Sequence, residues 1–326
     1  MRRKGVSYAK YGYLFSLPFV LAFLCFSLYP TIYTALIGFT DLKGMGKKDF
    51  NFLANPFQNF ELVLKNPSFQ TSLMNTLLIW IINFIPQILL ALLLTAWFTS
   101  RRYKIKGQGA FKVLMYMPNI ITAATIAILF NALFGYPMGP VNDLFKVFGL
   151  SETPVNFLIQ KWTARGIVAF IQFWMWYGYT MIVLISGVLG LNPELFEAAE
   201  IDGASSVQTF FYITLPNLRT ILLFTLITSM IGGLQMFDIP RLFLLGGPDN
   251  ATLTTSVFIY NQAFSGSYLY NRAAAASMLM FIIIAILSAI IFYLMRDKYE
   301  IKANKEKKAY MKSFRKAEKA VGRAEI

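Results

Sequence analysis

An all-α membrane protein with six transmembrane helices and both termini in the cytoplasm is the fold class that this sequence predicts. Three observations carry the prediction. The 326 residues are 56% apolar and 14% charged, against about 25% charged and under half apolar in a soluble domain. The apolar residues gather into six runs of roughly 17–27 residues, each long enough to cross a ~30 Å hydrocarbon layer as a helix. Helices are required there because an unpaired backbone group in lipid is costly. Finally, Lys and Arg sort by side. With the amino terminus inside, the cytoplasmic segments hold 21 of them and the external segments 9, which obeys the positive-inside rule.

Composition also excludes function classes. There is no His, which removes the commonest general base and metal ligand. The single Cys25 rules out disulfides and thiolate clusters within the chain, and its apolar surroundings predict a buried free thiol. The net charge of +14 sits at the chain ends and in one short loop, flanking apolar runs. That is a topology pattern and not a groove for phosphates, so nucleic acid is not expected as a partner, whereas membrane lipid is.

In chain order, residues 1–12 form a basic cytoplasmic start with Arg2, Arg3, Lys4 and Lys10. The run from Tyr13 to Phe39 is far longer than a signal-peptide core and lacks a small-residue cleavage site, so it reads as an uncleaved first span. Residues 40–70 read as an external loop. The second span covers about Leu73–Phe98 and contains Asn75, Asn83, Pro86 and Gln87. Arg101, Arg102, Lys104, Lys106 and Lys112 follow without an acid among them. The third span is expected over Val113–Phe134 and the fourth over Ile167–Leu191, with an external loop from Gly135 to Arg165. The fifth begins after Arg219 and reaches Phe237, and the sixth covers Ala274–Met295. Residues 13–295 thus make the transmembrane domain. The tail 296–326, with eleven basic and five acidic residues, reads as a helix end fraying into a solvated segment near anionic headgroups.

One inside loop breaks the charge pattern. Glu194, Glu197, Glu200 and Asp202 fall within nine residues, between apolar runs. Asn192-Pro193-Glu194 has the form of a helix start, with a capping Asn, Pro in the first turn and an acid at the positive dipole end. Gly203 can take the backbone angles that end that helix. Ser205 or Ser206 can cap a second short helix, and Pro216 sets the entry to the fifth span. Two short helices meeting at a glycine make an elbow, with Glu194, Glu197 and Ile201 on one face and Leu195, Phe196 and Ala199 nearer another. Read from these residues, the elbow is either an interfacial hairpin capping the bundle or a docking element.

The string Glu197-Ala198-Ala199, Gly203, Ile213, Leu215-Pro216 resembles, at every position, the cytoplasmic signature loop of binding-protein-dependent ABC importer permeases. Phe57–Phe60 through Asn75-Thr76-Leu77 and Gly139–Asn142 are similar to external loops of carbohydrate-importer permeases. Phe237-Asp238, Gly246-Gly247-Pro248, Ala251-Thr252 and Tyr260 resemble the maltose-type (MalF-like) branch. The likeness spans nearly the whole chain. It departs in having no counterpart here to the large external domain and two extra amino-terminal spans of the best-known enterobacterial maltose permease, which favours a compact six-span form. The resemblance implies the ABC importer permease fold, with residues 192–216 as a coupling loop seated in an ATPase subunit. Glu197, Ala198, Ala199, Asp202, Gly203, Ile213, Leu215 and Pro216 are its coupling residues. It further implies a second, related permease, two nucleotide-binding ATPase subunits and an external sugar-binding protein, with ATP and Mg on the partner and no cofactor in this chain.

The span interiors carry essentially no carboxylate or His, and Asp238 lies just past the fifth span. An ion relay needs titratable groups at membrane depth, so the driving energy is expected from elsewhere. Gly44-Met45-Gly46-Lys47 lacks the spacing and helix context of a phosphate loop, so ATP hydrolysis is expected on a separate subunit and the chain is not expected to be an enzyme. A sugar path needs aromatic platforms and neutral hydrogen-bonding groups. The fourth span supplies Gln172, Trp174, Trp176, Tyr177 and Tyr179. Gln172, Trp176 and Tyr179 share a helix face, as do Ser229, Gly233 and Met236, with Gln235 beside them. These positions resemble those lining the sugar site in the maltose-type branch, although only the Tyr and Ser types are kept. The competing reading makes the aromatics interfacial anchors and the Gly232-Gly233 pair a close helix contact. A sugar or oligosaccharide importer subunit is expected. The alternatives are the same architecture for a polyol or glycerol phosphate, and a membrane-embedded enzyme, for which no paired acids, His or metal cluster are at hand.

Overall fold

Six apolar stretches fold into helices whose packing leaves a cavity between the second, third, fourth and fifth. The computed structural model describes residues 9–47, 49–102, 106–266, 268–295, 306–307, 309–311 and 313. The expectation for the basic tail therefore lies almost wholly outside the described residues. Among the described residues five helices are long and apolar enough to cross a membrane, and a bent pair makes the sixth crossing. No strand forms among them beyond an isolated bridge between Thr40 and Phe52.

The first span, Lys10–Ile37, packs on little else in the chain: its most apolar stretch is 0% buried. Cys25 is therefore exposed, which corrects the expectation of a buried thiol. Apolar surroundings in the sequence imply burial in lipid or against a partner as readily as in the chain's own core. A π turn over Leu24–Leu28 precedes Pro30, a register shift of the kind that accommodates a residue without an N–H donor.

The second span, Pro67–Phe98, starts where Asn66 Oδ1 accepts from Ser68 N at 2.8 Å and runs through Pro86 without a break. It packs along the fourth span, Lys161–Leu189. Ala91, Leu94 and Phe98 meet Met181, Leu184 and Ile185 nearer the elbow, and Ile79 joins Val168, Ile171 and Phe130 nearer the other end.

The third span differs from the continuous helix expected over Val113–Phe134. It is two helices, Gln108–Ile120 and Ala123–Leu133, bent by 92°. Pro118 cannot donate to the preceding turn, Ile121 is extended, and Thr122 caps the second half by accepting from Thr125 N at 3.3 Å. The first half lies tightly on the fourth span at Gly178, where an added Cβ would sit 2.1 Å from Met115 O.

The main helix of the fifth span, Arg219–Leu234, ends at a turn before Phe237, and a short helix, Asp238–Leu244, completes the apolar stretch. The sixth, Tyr270–Met295, buries Ala273–Ala276 against the rest. Away from the elbow, polar side chains tie the connecting segments together. Arg165 Nη2 donates to Asn75 Oδ1 at 2.8 Å and its Nε to Ala251 O at 2.9 Å. The buried Asn75 donates in turn to Asn250 O and Leu253 O. Thr254 Oγ1 donates to Met236 O at 2.9 Å, and Ser256 Oγ to Gln235 O at 3.1 Å. The 250–256 segment is thereby fixed to the turn that ends the fifth span.

Candidate functional site: a central cavity and an elbow

A cavity of about 350 Å³ opens between the second, third, fourth and fifth spans. All seven residues proposed from the sequence, Gln172, Trp176, Tyr179, Ser229, Gly233, Gln235 and Met236, line it. Helical spacing explains the first three: four and three residues apart, they return to one face of the fourth span. Trp176 and Tyr179 stand edge to face, with centroids 5.9 Å apart and rings 87° apart. They leave open aromatic surface, each over 40% exposed. The other aromatics of that span turn away. Trp174 packs on Phe130 at 5.8 Å, and Tyr177 stacks on Phe173 at 5.6 Å.

The two glycines of the fifth span differ. A Cβ on Gly233 would lie 2.0 Å from Trp80 Cδ1, whereas one on Gly232 would meet nothing within 4 Å. Gly233 thus combines both sequence readings, wall of the cavity and close helix contact.

Five polar lining residues were not singled out as cavity residues from the sequence: Asn83, Gln87, Thr180, Thr225 and Thr228. Asn83 and Gln87 carried a readable sign, two amides four residues apart in an apolar helix. Gln87 Nε2 donates to Thr180 Oγ1 at 2.8 Å, and Thr180 Oγ1 donates to Trp176 O at 3.2 Å. The lining holds no Lys or Arg, and its one carboxylate is Asp238, at the start of the short helix after the fifth span. Among the described residues no group of three or more His, Cys, Asp or Glu side chains is placed to hold a metal ion.

The elbow lies where the fourth span ends. Asn192 Oδ1 accepts from Glu194 N at 3.1 Å, and Pro193 opens a helix over Pro193–Ile201. Gly203, at φ 75°, ends it: Ala204 N donates to Ala199 O and Gly203 N to Glu200 O, the paired bonds of a Schellman stop. Ser205 and Gln208 then form a reciprocal capping box. The second arm winds on without a stop after Thr209. A π turn over Phe210–Thr214 carries it into Leu215–Asn217, beside the missing N–H of Pro216.

The outward face carries Glu194, Glu197, Ala198, Ile201 and Asp202, all exposed, with Ile201 at 87%. Gly203 and Pro216 are exposed, and Ile213 and Leu215 are half-buried. Ala199 is 6% exposed and faces inward, so its small side chain admits the chain's own helices to close range. Arg101, at the end of the second span, reaches Glu197 Oε1 at 3.5 Å and lies 5.5 Å over the Phe196 ring.

Residues 62–302, which include both cavity and elbow, match the family described as binding-protein-dependent transport system inner membrane component. The chain belongs to this family. It is therefore a multi-pass membrane protein, and membership implies partner subunits. It is 31% identical over 289 residues to the lactose transport system permease protein LacF of Rhizobium radiobacter, covering 88% of this chain and 94% of that protein. It is 31% identical over 276 residues to the arabinooligosaccharides transport system permease protein AraP of Bacillus subtilis (strain 168), covering 84% and 85%. Its backbone is similar to a chain of a bacterial alginate ABC transporter solved in complex with an alginate pentasaccharide-bound periplasmic protein. The TM-score there is 0.70 at 25% identity, with coverage of 87% and 93%.

Proposed function

We propose that this inner membrane component is the permease subunit of an ATP-driven importer that translocates a sugar or oligosaccharide delivered by an external binding protein. The observation that carries the reading is the cavity wall. It offers two open aromatic rings, several neutral hydrogen-bonding groups and no cation. Ring faces of sugars stack on aromatics and their hydroxyls need neutral donors and acceptors. A glycerol phosphate would enter a site with no Lys or Arg to replace its hydration, so the sugar reading is favoured over the phosphate alternative. The named relatives, permeases of lactose and arabinooligosaccharide systems, support the same class.

In this reading ATP and Mg sit on two nucleotide-binding subunits. The exposed face of Glu197, Ala198 and Ile201 docks into one of them, and Asp202, Gly203, Ile213, Leu215 and Pro216 keep the elbow stiff enough to pass motion into the fourth and fifth spans. Gln172, Trp176, Tyr179, Ser229, Gly233, Gln235 and Met236 form the path. A second, related permease covers the apolar first span, which has almost no partner within its own chain.

Uptake by the reconstituted complex across a solute panel tests this. Lactose, maltose, trehalose and arabinooligosaccharides are set against a polyol and glycerol 3-phosphate. ATP-dependent uptake of at least one neutral sugar is expected; uptake of the phosphate ester with none of the sugars would contradict the proposal.

A further inference from the structure

The cavity has a second polar tier, nearer the elbow than the path residues read from the sequence. The second and fourth spans run toward the elbow and the fifth runs away from it. Gln87 and Thr180 follow Asn83 and Trp176 by four residues, and Thr225 precedes Ser229 by four. Each therefore lies one helical turn, about 6 Å, closer to the elbow. All three line the same cavity and are 2–5% exposed.

Two members of the tier are joined, since Gln87 Nε2 donates to Thr180 Oγ1 at 2.8 Å. The third is not. Thr225 Oγ1 is buried and has no hydrogen-bond partner among the described residues. A helical Thr ordinarily donates to the carbonyl one turn back, as Thr228 does to Phe224 O at 2.8 Å. A buried hydroxyl without a partner is disfavoured, and the residue that carries it lines a space open to a ligand. The chemistry that meets it is another hydroxyl, able both to donate and to accept. An anion would find no cation in the wall, and an apolar solute would leave the hydroxyl unsatisfied.

We propose that Gln87, Thr180 and Thr225 form a second sugar-hydroxyl subsite on the elbow side of the cavity, with Thr225 bonding a hydroxyl of the sugar on its way through. This rests on the sugar-importer reading.

The test is import into proteoliposomes by the complete complex, at saturating loaded binding protein. The sugar is whichever of lactose, maltose, trehalose or an arabinooligosaccharide the wild type carries, together with its single-deoxy analogues. Thr225→Val keeps the side-chain shape and removes the hydroxyl. It is expected to slow import about three- to tenfold, the worth of one net hydrogen bond, while Thr225→Ser stays within about twofold, since it keeps the bonding group. For the one deoxy analogue that lacks the partner hydroxyl, Thr225→Val should make no further difference, because two deletions of one bond do not add. Unchanged import by Thr225→Val, or an equal loss on every analogue, overturns the subsite. If that variant does not assemble, Thr225→Ala reads the same loss. Failure of the wild type to import any neutral sugar of the panel, arabinooligosaccharides included, overturns the sugar reading itself, before any variant is compared.

Discussion

Gly233 and Trp80 place the strictest steric demand on the cavity wall. An added methyl at 233 would fall 2.0 Å from an indole carbon, a separation that real Cβ atoms do not reach, and the indole belongs to a packed cluster. Overpacking of this kind costs about 1–3 kcal/mol. Gly233→Ala should therefore lower the thermal stability of the purified complex, whereas Gly232→Ala, facing open space, should not; equal stability of the two variants would remove the packing role of Gly233. Charges matter less at this scale. The Arg101–Glu197 pair is 40% and 60% exposed, so it contributes within about 0–1 kcal/mol and does not by itself hold the elbow in place. The buried Ala199 and the caps at Asn192 and Ser205 do more.

Among the elements, the elbow shows how far local chemistry specifies structure. Its start at Asn192-Pro193 and its stop at Gly203 were legible because caps and positive-φ positions depend on a few adjacent residues. Asn192→Ala should cost about 1 kcal/mol of local helix stability, seen as faster amide hydrogen exchange over 194–201; unchanged exchange would mean that tertiary packing alone holds this arm. The third span was misread for the converse reason. Both halves are apolar, so hydropathy ran straight through the 92° bend at 121–122, and Pro118 alone does not distinguish a kink from a break. Face sharing on the fourth and fifth spans was legible from spacing, and all seven path residues do border one cavity. Asn83 and Gln87 left a sign, two amides four residues apart, but the contribution of Thr180, Thr225 and Thr228 was not legible, because it depends on how each helix is rotated against its neighbours. Cys25 failed likewise: apolar neighbours in sequence do not say whether protein or lipid surrounds a helix.

At the scale of the whole molecule, the parts divide into a central cavity of about 350 Å³, a knot at Asn75, Arg165 and the 250–256 segment, and an exposed elbow. The cavity wall holds no Lys or Arg, and Asp238 is its one carboxylate. The elbow continues from the fourth span into the fifth, and both spans line the cavity. In the proposed reading, displacing it moves two walls of the cavity at once. The measurement that tests this most directly is sugar uptake together with ATP hydrolysis, in proteoliposomes carrying the complete complex with Glu197→Ala or Gly203→Val. A β-branched residue is strained at φ 75°, so the second change alters the elbow's angle. Both variants are expected to insert into the membrane normally and to lose uptake, or to hydrolyse ATP without matching uptake. Normal uptake at the normal ratio to ATP hydrolysis in both would contradict the account.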